Sequence, residues 1–153
     1  MKRRKTDFFD SVDRGGYKAA SPPCEHFGVC GGCRFQDIAY EDQVRMKEDY
    51  LEVLFGHAVA VQPAPQPLGY RNRMDFVYGF DALGLRKRGD YKTVVDVRVC
   101  HLIPQRVQEA FAVVKNALQL HGVLSYDVLA HEGFLRYVVF RYAPHTGELM
   151  ILF

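Results

Sequence analysis

The chain has 153 residues, 48% hydrophobic and 25% charged, with a formal net charge of +2. That is enough chain for one domain with a real core, and its composition excludes disorder and fibrous repeats. No apolar run approaches the roughly 20 residues of a membrane-spanning helix, and so small a charge does not by itself argue for nucleic acid.

Residues 1–23 read as a basic N-terminal arm carrying Lys2, Arg3, Arg4, Lys5, Arg14 and Lys18, with a Gly15-Gly16 pair and Pro22-Pro23. The arm leads into no apolar core, so it does not read as a secretory signal, and a cytoplasmic, reducing setting is expected. Residues 24–153 read as a single domain. It opens with a Cys/Gly loop, Cys24 to Gln36. Residues 39–55 follow as a helix, with Tyr40, Val44, Leu51, Leu54 and Phe55 on one face and Gly56 as its stop. Pro63, Pro65 and Pro67 then keep the chain extended.

From residue 70 the period changes to two. Arg71, Arg73, Asp75 and Val77 alternate with Asn72, Met74, Phe76 and Tyr78, which predicts a strand. A turn is expected at Asp81-Ala82, a return strand over Leu83–Arg88, and a third strand over Thr93–Val99. Tyr70, Phe76, Tyr78 and Phe80 read as core or sheet-face residues. Pro104 suits the first position of a second helix ending near His121-Gly122. Its stripe is Val107, Ala110, Phe111, Val114 and Leu118. Leu135–Tyr142 and Glu148–Phe153 read as a hairpin. The expected fold is α+β: a mainly antiparallel sheet, two covering helices and a Cys-rich loop. Because the last residues are an apolar run, the domain is expected to be cut short at Phe153.

The four cysteines carry the chemistry. Cys24, Cys30 and Cys33 form C-x5-C-x2-C, and Cys100 lies 66 residues on, at the end of a predicted strand. Three thiolates in a Gly-rich loop can converge on one small object, and a fourth from a strand end would fasten the loop to the sheet. Zn²⁺ and an Fe–S cluster both suit four thiolates. Zinc sites usually pair their ligands two and two, whereas a three-plus-one partition suits a cubane with one Cys on each iron. His26 and His101 adjoin ligand positions and read as supporting or surface residues. Phe27 and Phe35 read as a screen against water.

These motifs resemble the iron–sulfur-containing, S-adenosylmethionine-dependent RNA uracil-5-methyltransferases. The resemblance is carried by Pro23 to Gln36, Tyr40-x-x-Gln43-x-x-x-Lys47, Tyr70-Arg71-Asn72-Arg73-Met74, Leu83-Gly84-Leu85-Arg86-Lys87 and Val95 to Leu102. It implies a [4Fe–4S] cluster on Cys24, Cys30, Cys33 and Cys100, and an RNA partner, tRNA or ribosomal RNA, with no membrane. It implies the cluster-bearing, RNA-recognising central portion of such an enzyme. In that family a thiolate adds to uracil C6 to make C5 nucleophilic, and a base then removes the C5 proton. The family's Asp-Pro-Pro-Arg segment and Gly-rich cofactor loop do not occur in these 153 residues. S-adenosylmethionine would therefore act only through a further domain, and the chain alone is expected to be inactive. Arg71, Arg73, Arg86, Lys87 and Arg88 are candidate RNA contacts, forming a basic strip if their strands pair. The competing readings are a stand-alone zinc- or Fe–S-stapled RNA-binding module without catalysis, and an electron-transfer protein.

Overall fold

The computed structural model describes residues 12–127 and 130–153. The Lys2–Lys5 run lies outside the described residues. The chain divides into two compact units, one of residues 1–23 with 34–65 and one of residues 24–33 with 66–153.

In the first unit, the end of the arm is tied by backbone hydrogen bonds to the segment before helix α1 (Tyr40–Phe55). Ala20 N–H donates to Asp37 O (2.8 Å) and Ala39 N–H to Lys18 O (2.9 Å). Gln43, in the first turns of α1, donates its amide to Phe35 O (2.8 Å) and Ile38 O (2.9 Å), fixing the chain that enters the helix. Tyr40 Oη accepts from Ala64 N–H (2.7 Å) and Glu48 from Val61 N–H (2.9 Å), so α1 also holds the proline segment. Gly56 ends α1 at φ +74°, the left-handed stop expected of it. The anticipated apolar stripe is shorter than the sequence suggests. Met46 is the buried residue of α1, while Leu54 and Phe55 in the last turn are exposed.

The second unit is a five-stranded sheet in the order β3-β2-β1-β4-β5, antiparallel throughout. Its strands are β1 (Arg73–Gly79), β2 (Ala82–Lys87), β3 (Asp90–Asp96), β4 (Tyr137–Ala143) and β5 (Glu148–Leu152). Helix α2 (Gln105–Leu120) makes the crossover from the β3 edge back to β4 beside β1. Pro104 is the residue before α2 rather than its first helical one. The period-two pattern divides the sheet into two faces. Met74, Phe76 and Tyr78 pair across strands with Phe140, Val138 and Leu83 and meet Val107, Phe111, Val114 and Leu118 of α2. At the centre, the Phe76 and Phe111 rings lie 4.3 Å apart and Phe140 meets Phe76 edge-on at 5.8 Å. The helix residues of this core come from α2; α1 belongs to the first unit.

Two turns differ from expectation. The β1–β2 hairpin closes on Phe80-Asp81, not Asp81-Ala82, because Gly79 pairs with Ala82. Both loop residues have positive φ, +52° and +58°, the requirement of a two-residue turn that matches strand twist. Phe80 is consequently thrown outward and is 79% exposed. Tyr70 is also exposed, whereas Phe76 and Tyr78 are core as expected. The third strand ends at Asp96, so Val97 to Cys100 is a connecting segment rather than strand.

Candidate cysteine site and basic face

All four cysteines belong to the second unit. The Cys24–Cys33 loop is tied to the end of β2 by an isolated bridge. Gly31 N–H donates to Arg86 O (2.9 Å) and Arg88 N–H to Val29 O (2.8 Å), with Cys30 bridged to Lys87. That proximity explains the glycines: a Cβ on Gly31 would stand 3.0 Å from Arg86 O. The Arg88 guanidinium returns to the loop, donating to Cys33 O (2.5 Å) and lying over the Phe27 ring.

A second tie joins the loop to the segment that delivers Cys100. Arg98 pairs with Glu25, and Arg98 N–H donates to His26 Nε2 at 3.0 Å. Accepting that bond leaves the His26 proton on Nδ1. His26 thus ties the loop to the segment that delivers Cys100, its partner lying two residues before that cysteine. Behind Cys100, Gly69 N–H donates to His101 O and Arg71 N–H to Leu102 O, both at 2.8 Å. Four of the stretches picked out in the sequence therefore adjoin one another: the Cys loop, 70–74, 83–87 and 95–102.

None of the cysteines is in a disulfide; Cys30 and Cys100 are buried, Cys24 and Cys33 partly so. Burial pushes the Cys100 thiol up in pKa; the Leu102 N–H opposes this, and the charges of Cys33, Cys30 and Cys24 reinforce it. Burial likewise pushes Cys30 up, with Gly32 N–H bonding its sulfur at 3.4 Å in opposition. Cys100 is thus within electrostatic reach of the other three thiols. Deprotonating four such neighbours requires positive charge among them. Among the described residues, no three His, Cys, Asp or Glu side chains are arranged to hold a metal ion.

The five basic candidates divide among three places. Arg73 grips Asp75 through two hydrogen bonds of 2.8 Å on the solvent face, opposite Arg141 of β4. Arg71 lies against Met74 Sδ (3.9 Å). Arg88 serves the Cys loop, Lys87 is exposed at the Cys30 bridge, and Arg86 faces solvent opposite Val94. The face also carries Arg141 of β4, and Arg136 immediately before β4, which sequence reading missed because that strand pairs with β1 across a 57-residue separation in the chain.

No family model matches the sequence. Individual relatives do. An uncharacterized RNA methyltransferase of Caldanaerobacter subterraneus is 33% identical over 97% of this chain and 36% of its own length. The tRNA (uracil(54)-C(5))-methyltransferase of Pyrococcus abyssi is 32% identical over the whole chain and 38% of its own length. The crystal structure of that Pyrococcus abyssi enzyme with S-adenosyl-L-homocysteine superposes with a TM-score of 0.71, over 80% of this chain and 30% of that one. The chain is homologous to these RNA methyltransferases. It spans somewhat over a third of the length of the first of these curated relatives. Among the described residues, no helix is long and apolar enough to cross a membrane.

Proposed function

We propose that this chain is the cluster-bearing, RNA-recognising portion of an S-adenosylmethionine-dependent RNA (uracil-C5)-methyltransferase acting in the cytoplasm on tRNA or ribosomal RNA. Cys24, Cys30, Cys33 and Cys100 hold a [4Fe–4S] cluster. The observation that carries the reading is the meeting of the Cys24–Cys33 loop with Cys100 in one unit, in a chain homologous to tRNA uracil-C5 methyltransferases. What supports the group is the chemistry of the donor set rather than its arrangement: four thiols in one unit, none in a disulfide, one already accepting a peptide N–H as cluster sulfurs do.

When bound, the cluster supplies a covalent cross-link between loop and sheet and, in principle, an electron. Methyl transfer from a sulfonium needs no electron, so the cross-link is the useful property here. Arg88, His26 and the Gly31–Arg86 bond orient the loop, and Phe27 shields it under the Arg88 guanidinium. Arg86, Arg136 and Arg141 offer guanidinium groups to phosphate and to unpaired bases. No step of methyl transfer is assigned to these 153 residues.

The test is iron and acid-labile sulfide analysis of protein prepared without oxygen, together with its visible spectrum. About four irons and four sulfides per chain, with broad absorption near ~400 nm, is the expected result. Cys100→Ser should lose that absorption. One zinc per chain and no colour would overturn the cubane in favour of a zinc-stapled RNA-binding module.

A further inference from the structure

The solvent face of the sheet carries a cleft of about 360 Å³, remote in sequence from the Cys loop. Its floor is Val77, Gly79 and Val94; Phe80, Tyr91 and Tyr126 are aromatic walls; Arg86, Lys92 and Arg136 are the cations around it. Asp127 is the acidic residue of the lining. The volume falls in the usual range for small-ligand sites, about 300–1,000 Å³.

Phe80 is the most informative member. A two-residue hairpin turn with positive φ at both positions selects Asn, Asp or Gly. Here a phenylalanine is held at φ +52° and is 79% exposed, so sterics and hydrophobicity both oppose it. Strain of this kind persists where function needs the side chain. Beside it, the Arg136 guanidinium lies 5.9 Å from the Tyr126 ring and 5.2 Å from the Tyr137 ring, and Lys92 Nζ lies 6.0 Å from the Tyr91 ring. Planar apolar walls next to cations match a flat ring attached to a phosphate.

We propose that this cleft binds one unstacked base of single-stranded RNA, with Phe80, Tyr91 and Tyr126 stacking and Arg136, Lys92 and Arg86 meeting the adjoining phosphates. The inference rests on the RNA reading above and adds a place to it. An acidic peptide would satisfy the cations but leave three aromatic walls unused, so RNA is the better match.

The experiment measures fluorescence anisotropy of a labelled single-stranded oligouridine with the full chain, its Phe80→Asn and Arg136→Gln variants, and thermal melts of each. Phe80→Asn suits the turn, so it should raise the melting temperature while weakening RNA roughly five- to one-hundred-fold, the range of one base–aromatic stack. Arg136→Gln should weaken binding and lower the salt slope by about one. Photo-cross-linking with 5-iodouridine RNA should mark a peptide containing Tyr91 or Tyr126. If the parent chain binds RNA and both variants bind equally well, with cross-links only elsewhere, the cleft assignment is overturned and the RNA reading stands. If the parent chain does not bind RNA, both fall.

Discussion

Replacing Gly84 with alanine tests how closely β2 and β3 are held. A Cβ at position 84 would stand 1.8 Å from Val95 O and 2.9 Å from Val97 N, both backbone atoms. Ordinary contact begins at 3.4 Å, so the strands must part locally by about 1.6 Å. Two hydrogen bonds flank the site: Val97 N–H to Leu83 O and Leu83 N–H to Asp96 Oδ1, each 3.2 Å long. Both are at the long end of the normal range, and neither survives such a displacement. Two bonds at about 1 kcal/mol each, with about 1–3 kcal/mol for overpacking, give a loss of about 3–5 kcal/mol. That is a large share of the stability of a domain this size. The segment displaced leads to Cys100, so the proposed cluster's iron content should fall with it. The assay is urea denaturation followed by circular dichroism, beside Gly79→Ala, whose Cβ would meet only a Val94 methyl at 3.2 Å. If Gly84→Ala were within 1 kcal/mol of the parent, the close-approach argument would be wrong.

Phe111→Ala should cost about 3–5 kcal/mol in the same denaturation assay, since Phe111 is buried between Phe76 and Phe140. His26→Phe removes the acceptor of Arg98 N–H and should speed iron release from the proposed cluster to a chelator; an unchanged release rate would show that this tie does not hold the loop. The hydrogen bonds from Arg73 hold the Asp75 carboxyl below the usual carboxylate range, with burial opposing and Arg141 assisting. A carboxyl lowered on folding contributes stability above its unfolded pKa of about 3.9, and that contribution is lost as pH falls through the folded value. Carboxyl NMR should therefore find Asp75 titrating low, and Arg73→Gln should bring it back up; an Asp75 at its ordinary value would refute the pairing.

The amino-acid sequence alone determined the elements and the ligand candidates. Period-two alternation in 73–78 and period-3.6 spacing in 107–118 are local steric consequences of strand and helix, so they were legible without a structure. The C-x5-C-x2-C spacing marked the loop for the same reason: its geometry is set within ten residues of chain. What was not legible depends on which strands become neighbours. The pairing of β4 with β1, rather than continuation of the β1–β3 meander, is chosen by the α2 crossover and the joint burial of Phe76, Phe111 and Phe140. That choice set Arg141 opposite Arg73 and joined Tyr126 and Arg136 to Tyr91 and Arg86 in one cleft. The expected basic strip is divided by contacts independent of that pairing: Arg88 reaches the Cys loop and Arg73 its neighbour Asp75. The one-residue shift of the hairpin turn belongs here too. Phe80 reads as a core or sheet-face residue from the sequence, and only the Gly79–Ala82 pairing places it in the turn, exposed. Local spacing dictates elements and donor sets, but long-range burial decides which side chains share a surface.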